Sequence, residues 1–404
     1  MLNFIPPKHG TAGYRVLSAF VGAILSGSRK GLRLRVDADD RERLRATLHH
    51  SVVLLPNHCN HDDPYLMFVL SARLRRPFFF LAARESFTEM RGGRLRGWVM
   101  QQAGSYSVVR GTADRASFRA TRALIAEGSR PLVIFPEGEL SHRPDAVTPF
   151  ETGVATLAFW GLEDRIAAGR GSDVLLLPIG IHYNVDPAHE PRLLDGLAAL
   201  ERDLTGRTSN GEPLERFRAI GRHLLNTLET AYFGKADSER GITERVERLR
   251  SAILEQMERF FDIQPRPNAT LLDRARTLRN RLDDEVYREL DTPSRYAHDV
   301  HERRSQTFAT FTDAVKRVCA FHAFDALAVE RSMRTETLFE TLWLIEEEVY
   351  GSPRSLVPRT GNVRVGEAIR LDVYRDAYAA DKRAAVRDVT MALEDAVTRL
   401  ISES

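Results

Sequence analysis

Four short apolar runs constrain this chain more than any other feature. Ser51–Pro56 (SVVLLP), Pro77–Ala82 (PFFFLA), Pro131–Phe135 (PLVIF) and Val174–Ile181 (VLLLPIGI) are hydrophobic without alternation. Strands that are apolar on both faces belong to a sheet covered on both sides, and such sheets are mostly parallel. Between the runs lie stretches of helical periodicity at Tyr65–Leu74, at Arg115–Glu127, which stops before Gly128, and at Gly153–Gly161. A further strand at Ser105–Val109 and an alternating one at residues 32–36 complete the pattern. Strands that alternate with helices predict an α/β layer architecture.

From about Pro191 the character changes. Leu214–Phe233, Ile242–Phe261, Thr270–Leu290, Thr307–Val329 and Met333–Tyr350 all carry amphipathic helical periodicity. Pro265-Arg266-Pro267 and Gly351-Ser352-Pro353 supply breaks, and no fixed-period repeat marks a solenoid. After Pro358 a strand-like Asn362–Val365 precedes Gly366, and a last helix is expected near Lys382–Ile401. A chain of 404 residues has room for two domains, or for one enlarged domain with a real core.

Composition removes several classes. Hydrophobic residues at 43% and charged residues at 28% exclude a disordered chain and a polytopic membrane protein. Two cysteines, Cys59 and Cys319, provide neither a disulfide framework nor a Cys-rich zinc module, and suit a reducing cytoplasm. No run reaches the ~20 apolar residues that span a bilayer. Val16–Leu25 is shorter and is followed by Ser28-Arg29-Lys30; it is expected either to lie in a membrane interface or to pack on the core, and not to be a signal peptide. The net charge of +2 hides a basic block: between Ser71 and Arg130, twelve arginines face only Glu85, Glu89, Asp114 and Glu127. Such a block is either a solvated surface or an attractor of phosphates, from lipid headgroups or from nucleic acid.

The richest chemistry lies in Asn57-His58-Cys59-Asn60-His61-Asp62-Asp63-Pro64, just past the first apolar run. A histidine at a strand end beside a carboxylate at a helix entrance is a natural general base, because the carboxylate holds one tautomer and stabilises the imidazolium. His58 and Asp63 are too far apart for one face of a continuous helix, so the pairing requires a loop that turns into a helix. Pro64 favours that turn, with Asp63 expected as N-cap. Spacing alone does not choose Asp63 over Asp62. Asp63 as a plain cap and His58 as loop filler would be the structural alternative, and a metal site on His58, His61, Asp62 and Asp63 is a chemical one.

Four blocks in order give the chain a resemblance to the lysophosphatidic acid acyltransferase family, within the wider glycerolipid acyltransferase group. They are Asn57-His58 with Asp63-Pro64, then Gly104-Ser105-Tyr106-Ser107-Val108-Val109-Arg110-Gly111, then Phe135-Pro136-Glu137-Gly138, and finally Leu177-Pro178-Ile179-Gly180. The resemblance implies a glycerolipid-acyltransferase-like α/β sheet flanked by helices. It implies that His58 deprotonates an acceptor hydroxyl, which attacks the thioester of an acyl-CoA or an acyl carrier protein. Arg110 and Gly111, with the basic block, would hold an acceptor phosphate; Glu137, Gly138, Ser141 and Arg143 would shape the same site. 1-Acylglycerol-3-phosphate is the first acceptor implied, with glycerol 3-phosphate or a non-phosphate lyso-lipid as alternatives. No metal or bound cofactor is implied, nor nucleic acid. The expected partners are membrane lipids and the acyl donor, with the protein peripheral on the cytoplasmic face of the cell membrane. A metal-dependent hydrolase on His58, His61 and Asp62 is the reading from another class.

Two departures bear on the acceptor. Where much of the family has Thr or Ser and then Arg after Glu-Gly, this chain has Glu139 and Leu140, and where Lys is common it has Glu151. Both changes make the acceptor site more negative, with Arg143 as the nearest compensation in sequence. The tail Asn362–Leu371 and the helix after it resemble the family's usual ending, displaced far down the chain. The expected organisation is a discontinuous catalytic domain, residues 1–190 plus 360–404, interrupted by a helical insertion at 191–359; a separate C-terminal helical domain is the simpler alternative. Insertions of this size are tolerable because loop-closure entropy grows slowly with length.

Overall fold

The computed structural model describes residues 4–21, 31–87, 93–111, 114–286, 304, 307–319, 321 and 333–402. Its centre is an eight-stranded mixed sheet, built from β1 (Arg33–Arg35), β2 (Ser51–Pro56), β3 (Phe79–Ala83), β4 (Ser105–Val108), β5 (Leu132–Val133), β6 (Val174–Val185), β7 (Arg359–Val365) and β8 (Ile369–Arg370). The strand order is β1-β7-β6-β2-β5-β3-β4, with β8 paired to the start of β6. β2 runs parallel to both β5 and β6, in a register that sets Ser51 opposite Val174 and Pro56 opposite Ile179. Among the described residues, only β6–β7 and β6–β8 are antiparallel.

The apolar runs are buried on both faces, as their lack of alternation predicts. Val53 and Leu55 of β2 point into one core, with Leu124, Ile125, Phe159 and Leu162 from helices Arg115–Glu127 and Gly153–Ala167, and Val389, Leu393 and Val397 from the closing helix Lys382–Ser402. Val52 and Leu54 point the other way, onto Leu44, Leu66, Met67 and Leu70 of helices Ala38–Thr47 and Asp63–Leu74. Each such side chain contributes about 1.5–3 kcal/mol when fully buried, so a polar replacement on either face of β2 is costly. That double packing fixes the end of β2, and with it the His58 loop.

Several boundaries differ from the pattern-based expectation. β5 has two residues rather than five: Ile134 N–H still donates to Leu54 C=O at 3.0 Å, after which Phe135 stacks against His58. β6 continues past Ile181 to Val185, and the helix from Gly153 runs on to Ala167. Glu190–Thr205 forms a helix that the periodicity reading passed over. Beyond it lie helices Pro213–Phe233, Ile242–Phe261, Leu271–Val286 and Thr335–Tyr350, with residues 307–319 also helical. They have apolar clusters of their own, one around Leu249, Ile253 and Val318, the other around Leu197, Phe217 and Phe339. Of the expected segments, residues 22–30, 287–290, 320 and 322–329 lie outside the described residues, as do Glu89 and Arg91 of the basic block. Ala12–Ala19 is a short helix, and among the described residues no helix is long and apolar enough to cross a membrane.

β7 arrives from the far end of the chain and sits between β1 and β6, parallel to the first and antiparallel to the second. The helices between residues 190 and 350 therefore leave from β6 and return beside it. Leu225, Leu228, Val246 and Trp343 of these helices line one cavity with His58, Leu81 and Ile134.

Candidate active site

Asn57, fully buried at the end of β2, fastens the loop to the neighbouring strand: its Nδ2 donates to Ile181 C=O at 2.9 Å, and its Oδ1 accepts Ile181 N–H at 2.6 Å. His58 follows, held by its main chain on both sides. Its N–H donates to Glu137 Oε1 at 2.6 Å, and its C=O accepts Ser141 N–H at 2.9 Å and the Ser141 hydroxyl at 3.1 Å. The imidazole packs on Phe135, with ring centroids 4.3 Å apart. His58 Nδ1 lies 2.9 Å from Asp63 Oδ2. With Nδ1 engaged, Nε2 is the nitrogen left for a ligand in the cavity that His58 lines.

Asp63 has no exposed surface, and a bare buried carboxylate would be costly. Its oxygens are shared out: Oδ2 also accepts Asn60 N–H at 2.9 Å, and Oδ1 accepts the Tyr183 hydroxyl at 2.6 Å. This corrects the expected cap. Asp62 is the N-cap of helix Asp63–Leu74 and makes no side-chain capping bond; Asp63 is the first helical residue, and its carboxylate turns back into the loop. Pro64 follows at the second helical position, one later than a cap at Asp63 would place it. Burial raises the Cys59 thiol well above its ordinary pKa, with the Asp63 charge adding to the effect, which keeps the thiol neutral beside the base.

A second layer braces the loop. Arg359, at the start of β7, bonds Asp62 and donates to Asn60 Oδ1 at 3.0 Å, and it pairs with Glu340 at 3.4 Å. Its guanidinium lies over Trp343 and Tyr183, at 4.5 and 5.1 Å from the ring centroids. Asn60 Nδ2 donates to Glu340 Oε1 at 2.5 Å, and burial pushes the Glu340 carboxyl up to about 7 against the pull of Arg359. The metal arrangement on His58, His61, Asp62 and Asp63 does not form. Asp62 is committed to Arg359 and Asp63 to His58, while His61 meets His142 edge-on at 5.6 Å. Among the described residues, no group of three or more His, Cys, Asp or Glu is placed to hold a metal ion. His142 is held neutral: burial, then His61 and His58, bring it down to about 3.

The other motif residues separate into two roles. Glu137 is 4% exposed, and its carboxylate is taken up by His58 N–H and by the Thr148 main-chain and hydroxyl groups. Burial pushes it up to about 7 even so. Glu137 and Ser141 thus both grip the His58 peptide. Arg110, Gly138, Glu139 and Glu151 do line the cavity. Arg110 donates to Gly138 C=O at 2.6 Å, bonds Glu85, and pairs with Glu139 at 2.7 Å. Burial disfavours the charge on Arg110, but the two carboxylates outweigh it and raise its pKa. Burial likewise works to raise Glu85, while Arg110 and Arg279 hold it below its ordinary value. Arg143 pairs with Asp145 at 3.6 Å, and Arg276 reaches both Glu139, at 3.2 Å, and Glu151, at 2.9 Å. Gly111 and Gly138 have φ of +73° and +72°, and an added Cβ at either would come within 3.0 Å of the Arg276 side chain.

The cavity has a volume near 1280 Å³. Beyond His58 its lining is apolar, with Leu81, Val108 and Ile134 from the sheet, Val99 and Met100 from helix Gly93–Gln102, and Leu225, Leu228, Val246 and Trp343 from the later helices. Residues 35–182, which carry all four motifs, match the family model described as Acyltransferase. Over that segment the chain is similar to acyltransferase domains. The protein is accordingly an enzyme, an acyltransferase in its general class. No curated protein matches the chain.

Tyr183, Glu340, Arg359 and Arg276 went unnoticed in the sequence. Tyr183 had a signal, since it continues the every-second-residue face of Ile179 and Ile181 once β6 is allowed to run on. Glu340 and Arg359 meet the loop, and Arg276 meets Glu139 and Glu151, only through the fold.

Proposed function

We propose that the protein moves a fatty acyl group from a thioester donor, acyl-CoA or acyl carrier protein, to a hydroxyl of a lyso-glycerolipid, with 1-acylglycerol-3-phosphate as the acceptor. His58 Nε2 takes the hydroxyl proton as the oxygen attacks the thioester carbonyl carbon. Asp63 stabilises the imidazolium so formed. The tetrahedral oxyanion collapses, the C–S bond breaks, and the imidazolium returns its proton to the leaving thiolate. The thioester is already activated, so the scheme calls for no metal or cofactor. The substrate phosphate would be taken by Arg110, whose fork suits bidentate contact with oxyanions.

The observation that carries this reading is the His58–Asp63 contact of 2.9 Å at the wall of a large, mainly apolar cavity. β7 and the closing helix, packed into the sheet and core of the matched segment, support one discontinuous catalytic domain, 1–190 plus 360–404, with 191–359 inserted as its cover. In this proposal the protein works at the cytoplasmic face of the cell membrane, where lyso-lipids and acyl donors meet. A second reading, a non-phosphate or a smaller acceptor, is favoured by one fact: Arg110 is already balanced by Glu85 and Glu139.

The test is to incubate purified protein with acyl-CoA or acyl carrier protein and a panel of lyso-lipids, and to identify products by mass. Acylated phosphatidate-type product from wild type, lost in His58→Ala, is the expected result. Retention of the full rate by His58→Ala overturns the mechanism.

A further inference from the structure

Arg110 shares each of its carboxylate partners with an arginine of one inserted helix. Glu139 is bonded by Arg110 at 2.7 Å and by Arg276 at 3.2 Å. Glu85 is bonded by Arg110 and by Arg279 at 3.5 Å. Arg276, Arg279 and Asn280 stand three and four residues apart on helix Leu271–Val286, so they share a face. Asn280 Nδ2 fixes that face by donating to Arg110 C=O at 2.8 Å. Gly111 and Gly138, at the ends of two motifs, leave the room in which Arg276 lies.

We propose that Arg276 and Arg279 are specificity-determining residues that free Arg110 for an anionic acceptor. The inference rests on the reading above, in which a phosphate is taken by Arg110. A phosphate entering this site competes with Glu85 and Glu139 for one guanidinium. If Arg110 were their sole counterion, its capture would leave carboxylates in a poorly solvated wall without compensation, the situation that makes broken buried pairs costly. Here each carboxylate keeps a second arginine when Arg110 turns to the substrate. Charge arithmetic agrees: among Arg110, Arg276, Arg279, Glu85, Glu139 and Glu151 the charges sum to zero, and removal of Arg276 leaves the acceptor wall one negative charge in excess. The insertion thus makes the Glu139 and Glu151 wall tolerant of a phosphate without supplying the reacting groups.

The experiment measures kcat and KM in mixed micelles for two acceptors of the same acyl chain, 1-acylglycerol-3-phosphate and neutral monoacylglycerol. The proteins are wild type, Arg276→Ala, Arg279→Ala, Glu139→Gln and Glu139→Gln/Arg276→Ala, with thermal melting as a fold control. Arg276→Ala should raise KM for the phosphate acceptor by about tenfold, the scale of one charge-assisted contact, with kcat within about threefold. KM for monoacylglycerol should hardly move, and adding Glu139→Gln should restore the phosphate KM. In the wild-type background, Glu139→Gln alone should lower it, an arm that stands even if the alanine variant does not fold. An unchanged phosphate KM, or equal losses on both acceptors, overturns the role of Arg276. Wild type that ignores the phosphate acceptor overturns the underlying reading instead, and does so before any variant is made.

Discussion

Replacing Asp63 with Asn isolates the charge of the pair from its geometry. The amide oxygen can take the place of Oδ2, which receives His58 Nδ1 at 2.9 Å and Asn60 N–H at 2.9 Å, and the amide nitrogen can face the Tyr183 hydroxyl, which lies 2.6 Å from Oδ1. What disappears is the attraction between carboxylate and imidazolium once His58 has taken the substrate proton. At about 4 Å between charge centres and an effective dielectric of about 20, that attraction is about 4 kcal/mol. It is present in the transition state and not with neutral imidazole, so the loss falls on kcat, and each ~1.4 kcal/mol is a factor of ten. Asp63→Asn should therefore lower kcat by about 10²–10³-fold, after allowance for the fifth of the His58 side chain (21%) that solvent still reaches. Tyr183→Phe removes one neutral donor to the same carboxylate and should cost only about tenfold or less. A continuous assay of thiol release from acyl-CoA gives the rates, and thermal melting reports whether the fold is kept. An Asp63→Asn variant that melts like wild type and works within about threefold of its rate would sink the general-base assignment.

Three further outcomes follow from particular contacts. Glu137 has an ordinary value of 4.5 and is pushed up to about 7, so the folded state holds its proton more tightly than the unfolded one. Its contribution to stability, about 3 kcal/mol, is fully present below about 4.5 and is lost as pH rises through about 7. Denaturation midpoints between pH 5 and 8 should fall less steeply in Glu137→Gln than in wild type, and an unchanged slope counts against this account. Gly138→Ala puts a Cβ at φ +72° and 3.0 Å from Arg276 Nη2; it should cost about 1–2 kcal/mol and lower the melting temperature. Arg359→Met strands Glu340 and Asp62 and should cost about 3–5 kcal/mol, with part of the loss recovered in Arg359→Met/Glu340→Leu; a melt identical to wild type refutes the brace.

Local pattern was enough for the sheet because burial on both faces writes itself into consecutive residues. Val52 to Leu55 are apolar in turn since each faces one core or the other, and Ile242–Phe261 repeats its apolar face because the helix rests on neighbours along one side. Lengths were less legible where burial stops short of the element's end. β6 runs past its apolar stretch because β7 bonds it from Ile179 to Val185, and β7 lies almost two hundred positions down the chain. The same limit governs the site. His58 lies in the loop and Asp63 opens the helix after it, so spacing offers a pair without choosing Asp63 over Asp62, and the Asp63 carboxylate is drawn from the expected cap by partners that include Tyr183 of another strand.

The charge departures at Glu139 and Glu151 show the limit most sharply. Read along the chain they are unopposed carboxylates beside Arg110, with Arg143 the nearest candidate to balance them. In space the balance comes from Arg276, on a helix whose own sequence is only amphipathic and arginine-rich. An arginine on a solvated face and one that bridges two carboxylates look alike until the fold sets them on Gly111 and Gly138. Those glycines carry the information in reverse: each has a positive φ, and the space that a Cβ would take is already occupied by the Arg276 side chain. The positive charge beside Glu139 and Glu151 is thus carried by helix Leu271–Val286, and that is where the proposed discrimination between acceptors would lie.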